Sequence, residues 1–173
     1  MKPIIVHGGG KEISKWVKLS GKEAEFYNGL RVTDKETMEI AEMVLNKVNK
    51  ELVGLMQKMG LNAVGICGKD ANLIQVEKKM PDGKDIGYVG NVKSVNTELL
   101  TTLMDAEFIP VVAPIGMDEN FDSYNIHADD AACGVAKAME AEKLVFLPDI
   151  EGVFVDPSNK KTLISEMDVN TAN

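Results

Sequence analysis

Cysteine and histidine are scarce in this sequence, with two of each among 173 residues. Cys67 and Cys133 stand far apart with no metal-type spacing, and His7 and His127 are too distant in the chain to form a ligand pair, so no protein-bound metal is expected. Positive charge is also in deficit: 19 Lys and Arg face 27 Asp and Glu, for a net charge of −8. That excludes the cationic face a nucleic acid requires. It leaves room for a small anion, which a few local cations and helix N-termini can hold. Lys78-Lys79 and Lys160-Lys161 read as solvated loop charge and make no basic patch. No apolar run approaches membrane-spanning length. The opening stretch from Met1 to His7 has too short an apolar run for a signal peptide and no small-residue cleavage site. A reduced, cytoplasmic setting is the expectation from these absences. There is no internal repeat, no low-complexity tract and no G-x-x-x-x-G-K-[ST] spacing of a Walker loop.

The residues present are 45% hydrophobic and 27% charged, which suits one ordinary domain over residues 1–173. Strand-length apolar runs alternate with helical patterns. Pro3–Val6 reads as a buried strand and about Lys11–Leu19 as a helix. The polar stretch Lys22–Val32 suits a hairpin. Thr33-Asp34-Lys35-Glu36 has the form of a capping box, opening a long helix that runs to about Met59 and stops at Gly60. Ala63–Cys67 is the next strand. Ile74–Lys78, the turn Pro81-Asp82-Gly83 and Asp85–Val92 form strand, turn and strand. Asn96 caps a helix to about Ala106. Pro110–Ile115 is a strand, Asp129–Ala141 a helix and Lys143–Leu147 a strand. This alternation argues for an α/β fold with a mainly parallel sheet. Ligands in such sheets gather at the carboxyl ends of strands.

Four segments lie at those ends. Gly8-Gly9-Gly10, between a strand and a helix, is either a tight turn or a backbone cradle for an anion. Lys11 stands in the first helical turn, facing a ligand or solvent. In Asn28-Gly29-Leu30-Arg31-Val32-Thr33, Arg31 is either a surface side chain or a planar fork for a carboxylate. Tyr124–Asp130 opens a helix. There Asp129 is a cap or a site residue, Asn125 offers donors and an acceptor, and His127 is a loop histidine or a pH-sensitive group. The last, Leu147–Phe154, is a glycine-containing loop whose Asp149, Ile150, Gly152, Val153 and Phe154 suit a nucleotide or serve only as a connection.

In order, V-H-G-G-G, N-G-L-R-V-T, N-x-x-A-D and D-I-E-G-V resemble the amino-acid kinase family, and most closely its acetylglutamate kinase branch. The similarity runs over essentially the whole chain, and N-G-L-R-V-T is the most discriminating segment. The resemblance implies a three-layer α/β sandwich, incomplete here, with an acyl-substrate half and the start of a nucleotide half. It implies ATP as co-substrate, with Mg2+ carried on the nucleotide, and N-acetyl-L-glutamate as the acceptor. Gly9 and Gly10 would contact substrate and the transferring phosphoryl group, and Arg31 and Asn125 would hold the substrate. Asp129, a buried aspartate, would organise catalytic lysines, and Asp149–Phe154 would lie against the nucleotide.

The sequence also departs from the family pattern. The K-x-G-G strand with which the family opens and the later glycine-rich segment with a second lysine are not among these residues, and His127 stands where the family usually has asparagine. The expectation is a chain inactive by itself, with an unpaired apolar edge beside Pro3–His7. The alternatives are a non-catalytic substrate-binding or dimerising remnant and a sibling kinase. In the helix Asp34–Met59, Met38, Ala41, Leu45, Val48, Leu52, Leu55 and Met59 make a near-heptad stripe, with Ile40, Val44 and Val53 off it. It is either one wide core face, or a helix shared between the sheet and a partner chain. The family dimerises through this region, which implies a homodimer.

Overall fold

The computed structural model describes residues 2–149, 152–156 and 158–167. The chain enters through β1 (Ile5–Val6), turns at the glycines into α1 (Gly10–Leu19), and makes a small hairpin of β2 (Phe26–Tyr27) and β3 (Leu30–Arg31). The long α2 (Lys35–Lys58) precedes β4 (Ala63–Cys67), β5 (Ile74–Lys78), β6 (Val89–Val95) and α3 (Thr97–Asp105). Then come β7 (Ile109–Ala113), β8 (Ile115–Met117), β9 (Ser123–Ile126) and α4 (Ala128–Ala138).

β1, β7 and β4 form a parallel sheet in that order. Period-two alternation sorts their side chains into two layers. Ile5, Ala63 and Val111 pack against Leu52, Val53 and Met56 of α2. Val6, Val64, Ile66 and Val112 point the other way, onto Leu99, Leu100 and Leu103 of α3 and Ala131 and Val135 of α4. The result is the helix–sheet–helix layering of an α/β fold with a parallel sheet. Val111, Val112 and Ala113 of the central strand are fully buried, as a strand covered on both faces must be.

Pro114 has no N–H to donate, and it separates β7 from β8, so the single strand read over Pro110–Ile115 is two. β8 joins β5, β6 and β9 in a small closed barrel. The β5–β6 and β8–β9 pairs are antiparallel, and β6–β9 and β5–β8 are parallel. β9 is an element that sequence reading did not separate from the start of α4.

Other expectations need correction. The capping box does not form. Asp34 is the N-cap of α2, and its Oδ1 accepts from Thr37 N at 2.7 Å. Thr33 is fully buried, with its N–H bonded to Ile86 O and its C=O to Tyr88 N, and its hydroxyl donates to Arg31 O. Glu36 pairs instead with Lys22, at 2.6 Å. β6 begins at Val89, later than the predicted Asp85, because Gly87 at φ 83° bridges to Thr33. Lys143–Leu147 is not a strand, and Val145 and Leu147 are 63% and 93% exposed. Strand propensity is realised only against a neighbouring ladder, and among the described residues none lies beside this segment. Along α2, Met38, Ala41 and Leu45 are buried together with the off-stripe Ile40 and Val44, whereas Leu55 and Met59 are exposed. The first half of the helix therefore presents one wide core face. No helix among the described residues is long and apolar enough to cross a membrane.

The Asp34 cap yields a stability prediction. Asp34→Ala should lower the unfolding free energy in urea by about 1 kcal/mol at pH 7, and Asp34→Asn, which keeps a capping oxygen but loses the charge paired with Lys22, should lower it less. Hydrogen bonds from Lys22, then from Thr37, hold the Asp34 carboxyl down from 3.8 to about 2. A depressed carboxyl stabilises the fold above its unfolded pKa, and that contribution fades as pH falls from 3.8 toward about 2. Over that window, urea midpoints of Asp34→Asn should fall less steeply than those of the unmodified chain.

Candidate functional site

A cleft of about 210 Å³ opens where β1 ends, between the β2–β3 hairpin and the start of α4. Gly8, Gly9, Gly10, Arg31, Asn125 and His127 all line it. Two helices begin here, and neither has a side-chain cap: α1 at Gly9 and α4 at His127. By contrast α2 and α3, which begin elsewhere, are capped by Asp34 and Asn96. The first-turn amides of α1 and α4 therefore lack intrahelical partners, and each end carries the positive pole of its helix. The two starts are adjacent, because a Cβ built on Gly8 would lie 3.6 Å from Ala128 Cβ. Such a pair of ends is a ready anion site.

Arg31 supplies the charge. Its register follows from the Asn28-Gly29 turn, whose two residues take positive φ of 48° and 78°, so that Arg31 pairs across the hairpin with Phe26. The side chain is buried and reaches back to α1. Nη2 donates to Gly10 O at 2.9 Å and to Ser14 Oγ at 2.8 Å. The guanidinium carbon stands 4.8 Å from the centre of the Phe26 ring, within cation–π range. Nη1 is buried and has no partner. Burial pushes the guanidinium pKa down, but arginine stays protonated in proteins. Among the described residues no carboxylate pairs with it. A buried cation with a spare donor and no counter-ion is arranged to take an anion.

Asn125 sits on β9, where its backbone N–H bonds to Tyr88 O at 2.9 Å. Its side chain has no partner among the described residues and lines the cleft. His127 is exposed at the α4 start and caps nothing.

Asp129 is exposed, not buried. α4 buries Ala131 and Val135, and a residue two places before Ala131 lies about 200° round the helix from that face. It does not line the cleft, and among the described residues no lysine pairs with it. The neighbouring Asp130 binds Lys79 at 2.7 Å. In the last predicted segment, Ile150 lies outside the described residues. Asp149 pairs with Lys11 on the surface, which lowers the carboxyl pKa and raises that of the ammonium. Val153 is exposed and Phe154 bridges to Leu163. Asp149, Gly152, Val153 and Phe154 do not line the cleft.

Sequence reading missed Phe26 and Ser14, which hold Arg31, and Leu45, which forms the apolar floor beside Gly9. The Phe26 partnership was readable from the two-residue turn. The Ser14 contact was not, because no local rule places a hairpin against the α1 turn.

The sequence matches the Amino acid kinase family over residues 1–173. The chain belongs to that family. It is 51% identical to the acetylglutamate kinase of Campylobacter jejuni over 172 residues, covering 99% of this chain and 61% of that protein. It is 48% identical to the acetylglutamate kinase of Halothermothrix orenii, covering 98% of this chain and 60% of that protein. The chain thus spans less than two thirds of the curated relatives it matches. Among solved structures, smu.665 from Streptococcus mutans superposes with a TM-score of 0.81 at 30% identity, over 87% of this chain and 61% of that one. An N-acetylglutamate synthase from Neisseria gonorrhoeae shares the fold, with a TM-score of 0.78 at 24% identity over 89% of this chain and 35% of that one. For this member of the family, the glycines of the loop are separable by stability. A Cβ on Gly9 would meet Leu45 Cδ2 at 2.9 Å, whereas one on Gly10 would meet nothing within 4 Å. Gly9→Ala should therefore cost about 1–3 kcal/mol by overpacking. Gly10→Ala, inside α1, should be neutral or stabilising by up to about 1 kcal/mol. Urea melts of the two variants would show the difference, and equal effects would refute the close approach.

Proposed function

We propose that this chain carries the acyl-substrate half of an enzyme that moves the γ-phosphoryl group of ATP onto the side-chain carboxylate of N-acetyl-L-glutamate. The observation that carries the reading is the buried Arg31, whose Nη1 has no partner beside two uncapped helix starts. The acetylglutamate kinases at 48–51% identity support the choice of substrate. Arg31 and Asn125 take the α-carboxylate and polar groups of the acceptor. Gly9 and Gly10 present backbone amides to the reacting carboxylate and the phosphoryl group.

The chemistry needs no general base, because the attacking carboxylate is already ionised at neutral pH. The obstacle is the approach of two anions, overcome by positioning and by positive charge. Mg2+ arrives on the nucleotide phosphates and supplies part of that charge. Of the residues lining the cleft, Arg31 is the one permanent cation. Phosphoryl transfer therefore draws on lysines beyond this constellation, which Asp129 would orient, and on a nucleotide site reached through Asp149–Phe154. The 173 residues alone bind the acceptor and turn over negligibly. The free thiols Cys67 and Cys133 suit a reducing cytoplasm. We also assign self-association to the outward face of α2, where Met43 is 65% exposed beside Glu39 and Asn46.

Isothermal titration should show N-acetyl-L-glutamate binding with no ATP-dependent phosphorylation above background. Arg31→Ala should weaken binding by about ten- to a hundredfold, the worth of a charged hydrogen bond. Arg31→Lys should not restore it, because an ammonium cannot reproduce the planar fork. Unchanged affinity in Arg31→Ala would sink the reading. Separately, sedimentation equilibrium should find a dimer that Met43→Glu dissociates, and a monomer at all concentrations would remove the self-association surface.

A further inference from the structure

Behind the glycine loop, two buried side chains that the proposed reaction does not use are hydrogen-bonded to each other and to the loop. His7 is 9% exposed, and Asn49, midway along α2, is fully buried. His7 Nδ1 lies 2.9 Å from Gly8 O. A carbonyl oxygen only accepts, so Nδ1 carries the proton and Nε2 is bare. Asn49 Nδ2 donates to that bare nitrogen at 3.1 Å and to Val111 O, on the central strand, at 2.9 Å. Turning the amide over would set Oδ1 against the Val111 carbonyl, so both orientations are settled by the acceptors around them. Asn49 Oδ1 has no partner. It occupies space a side chain would need, since a Cβ on Gly65 would lie 2.0 Å from it. The strand thus gives up a side chain where the amide lies against it. His7 is tied to the sheet as well, by its N–H to Val112 O at 3.2 Å. Burial holds the imidazole pKa below 6.5, which keeps the ring neutral at pH 7, as an Nδ1 donor and Nε2 acceptor must be.

We propose that His7 and Asn49 are positioning residues that aim the glycine-loop amides at the ligand. This rests on the reading of Gly9 and Gly10 as ligand contacts. Three successive glycines are the most freely rotating backbone a chain can have, and a loop that must be ordered on binding loses affinity. The peptide between Gly8 and Gly9 is trans, as are all those among the described residues. In a trans peptide the N–H points opposite to the C=O. Fixing Gly8 O on His7, at the core side, therefore turns Gly9 N–H away from the core. Asn49 fixes the imidazole in turn, and the Val111 carbonyl of the most buried strand fixes Asn49. The loop amides inherit the rigidity of the sheet through a chain of three hydrogen bonds.

The test uses two substitutions that split the imidazole. In His7→Asn the amide nitrogen falls where Nδ1 was and can still donate to Gly8 O. In His7→Gln the longer amide reaches the Nε2 position and the Gly8 bond is lost. By titration with N-acetyl-L-glutamate, His7→Asn, which keeps the Gly8 bond but gives up the one to Asn49, should lose about threefold, and His7→Gln, which gives up the Gly8 bond itself, about tenfold, roughly the worth of one hydrogen bond. Equal losses would mean that the ring is only packing, and would overturn the proposal. Adding Asn49→Ala to His7→Gln should cost little further affinity, because the two act in series, and additive losses would also overturn it. Two readouts need no ligand, and the first of them needs no variant. Long-range proton–nitrogen NMR of the unmodified chain should show the Nδ1–H tautomer at pH 7, and Gly9 should exchange its amide proton faster in His7→Gln than in His7→Asn. An Nε2–H tautomer would refute the arrangement even if His7→Gln fails to fold. If the unmodified chain binds no N-acetyl-L-glutamate, the functional reading fails, while tautomer and exchange still decide this one.

Discussion

The site depends on one buried cation that bonds to its own chain through one nitrogen and leaves another without a partner. Arg31 Nη2 binds the Gly10 carbonyl and the Ser14 hydroxyl, and through them the hairpin is held against the first turns of α1. Removing a guanidinium from water is costly unless hydrogen bonds and nearby π-electron density offset the loss. Gly10 O, Ser14 Oγ and the Phe26 ring do this in part. Nη1 remains unpaired, and that deficit is what a bound carboxylate would fill. The cleft is therefore poised electrostatically for a ligand.

The same economy appears in the helix starts. Where a helix only has to stand, as α2 and α3 do, a side chain closes its first turn. Where two helices face the cleft, their amides are left for something else. A cap on α1 or α4 would add about 1 kcal/mol of stability and take up the first-turn amides that face the cleft. Side-chain capping thus separates α2 and α3 from α1 and α4, and His7 and Asn49 lie on the core side of the glycine loop, where we propose that they steady it.

Much of this was legible in the residues. The parallel strands Ile5–Val6 and Ala63–Cys67 follow from short apolar runs, and α2 follows from a long periodic pattern closed by Gly60. Gly8–Gly10, Arg31 and Asn125 were singled out on chemistry and do meet in one cleft. Asp129, expected to be buried, is exposed, because its burial depends on which side of α4 meets the sheet. Thr33 has the chemistry of a cap, but its backbone pairs with Ile86 and Tyr88, residues far away in sequence, and its hydroxyl turns inward. Lys143–Leu147 has strand composition without a neighbour to make it one.

The sequence by itself determined the elements whose cause is local: helix periods, the Asn28-Gly29 turn, the break at Gly60, and the family to which four ordered motifs point. Tertiary structure alone decided what depends on residues brought together from a distance. It closed β5, β6, β8 and β9 into a barrel, set the hairpin on α1 so that Arg31 became a buried cation, and put Asn49 beside His7. The physical reason is the range of the forces. Backbone dihedrals and capping act over a few residues, whereas burial and the satisfaction of buried polar groups are settled only when the whole chain has chosen its neighbours.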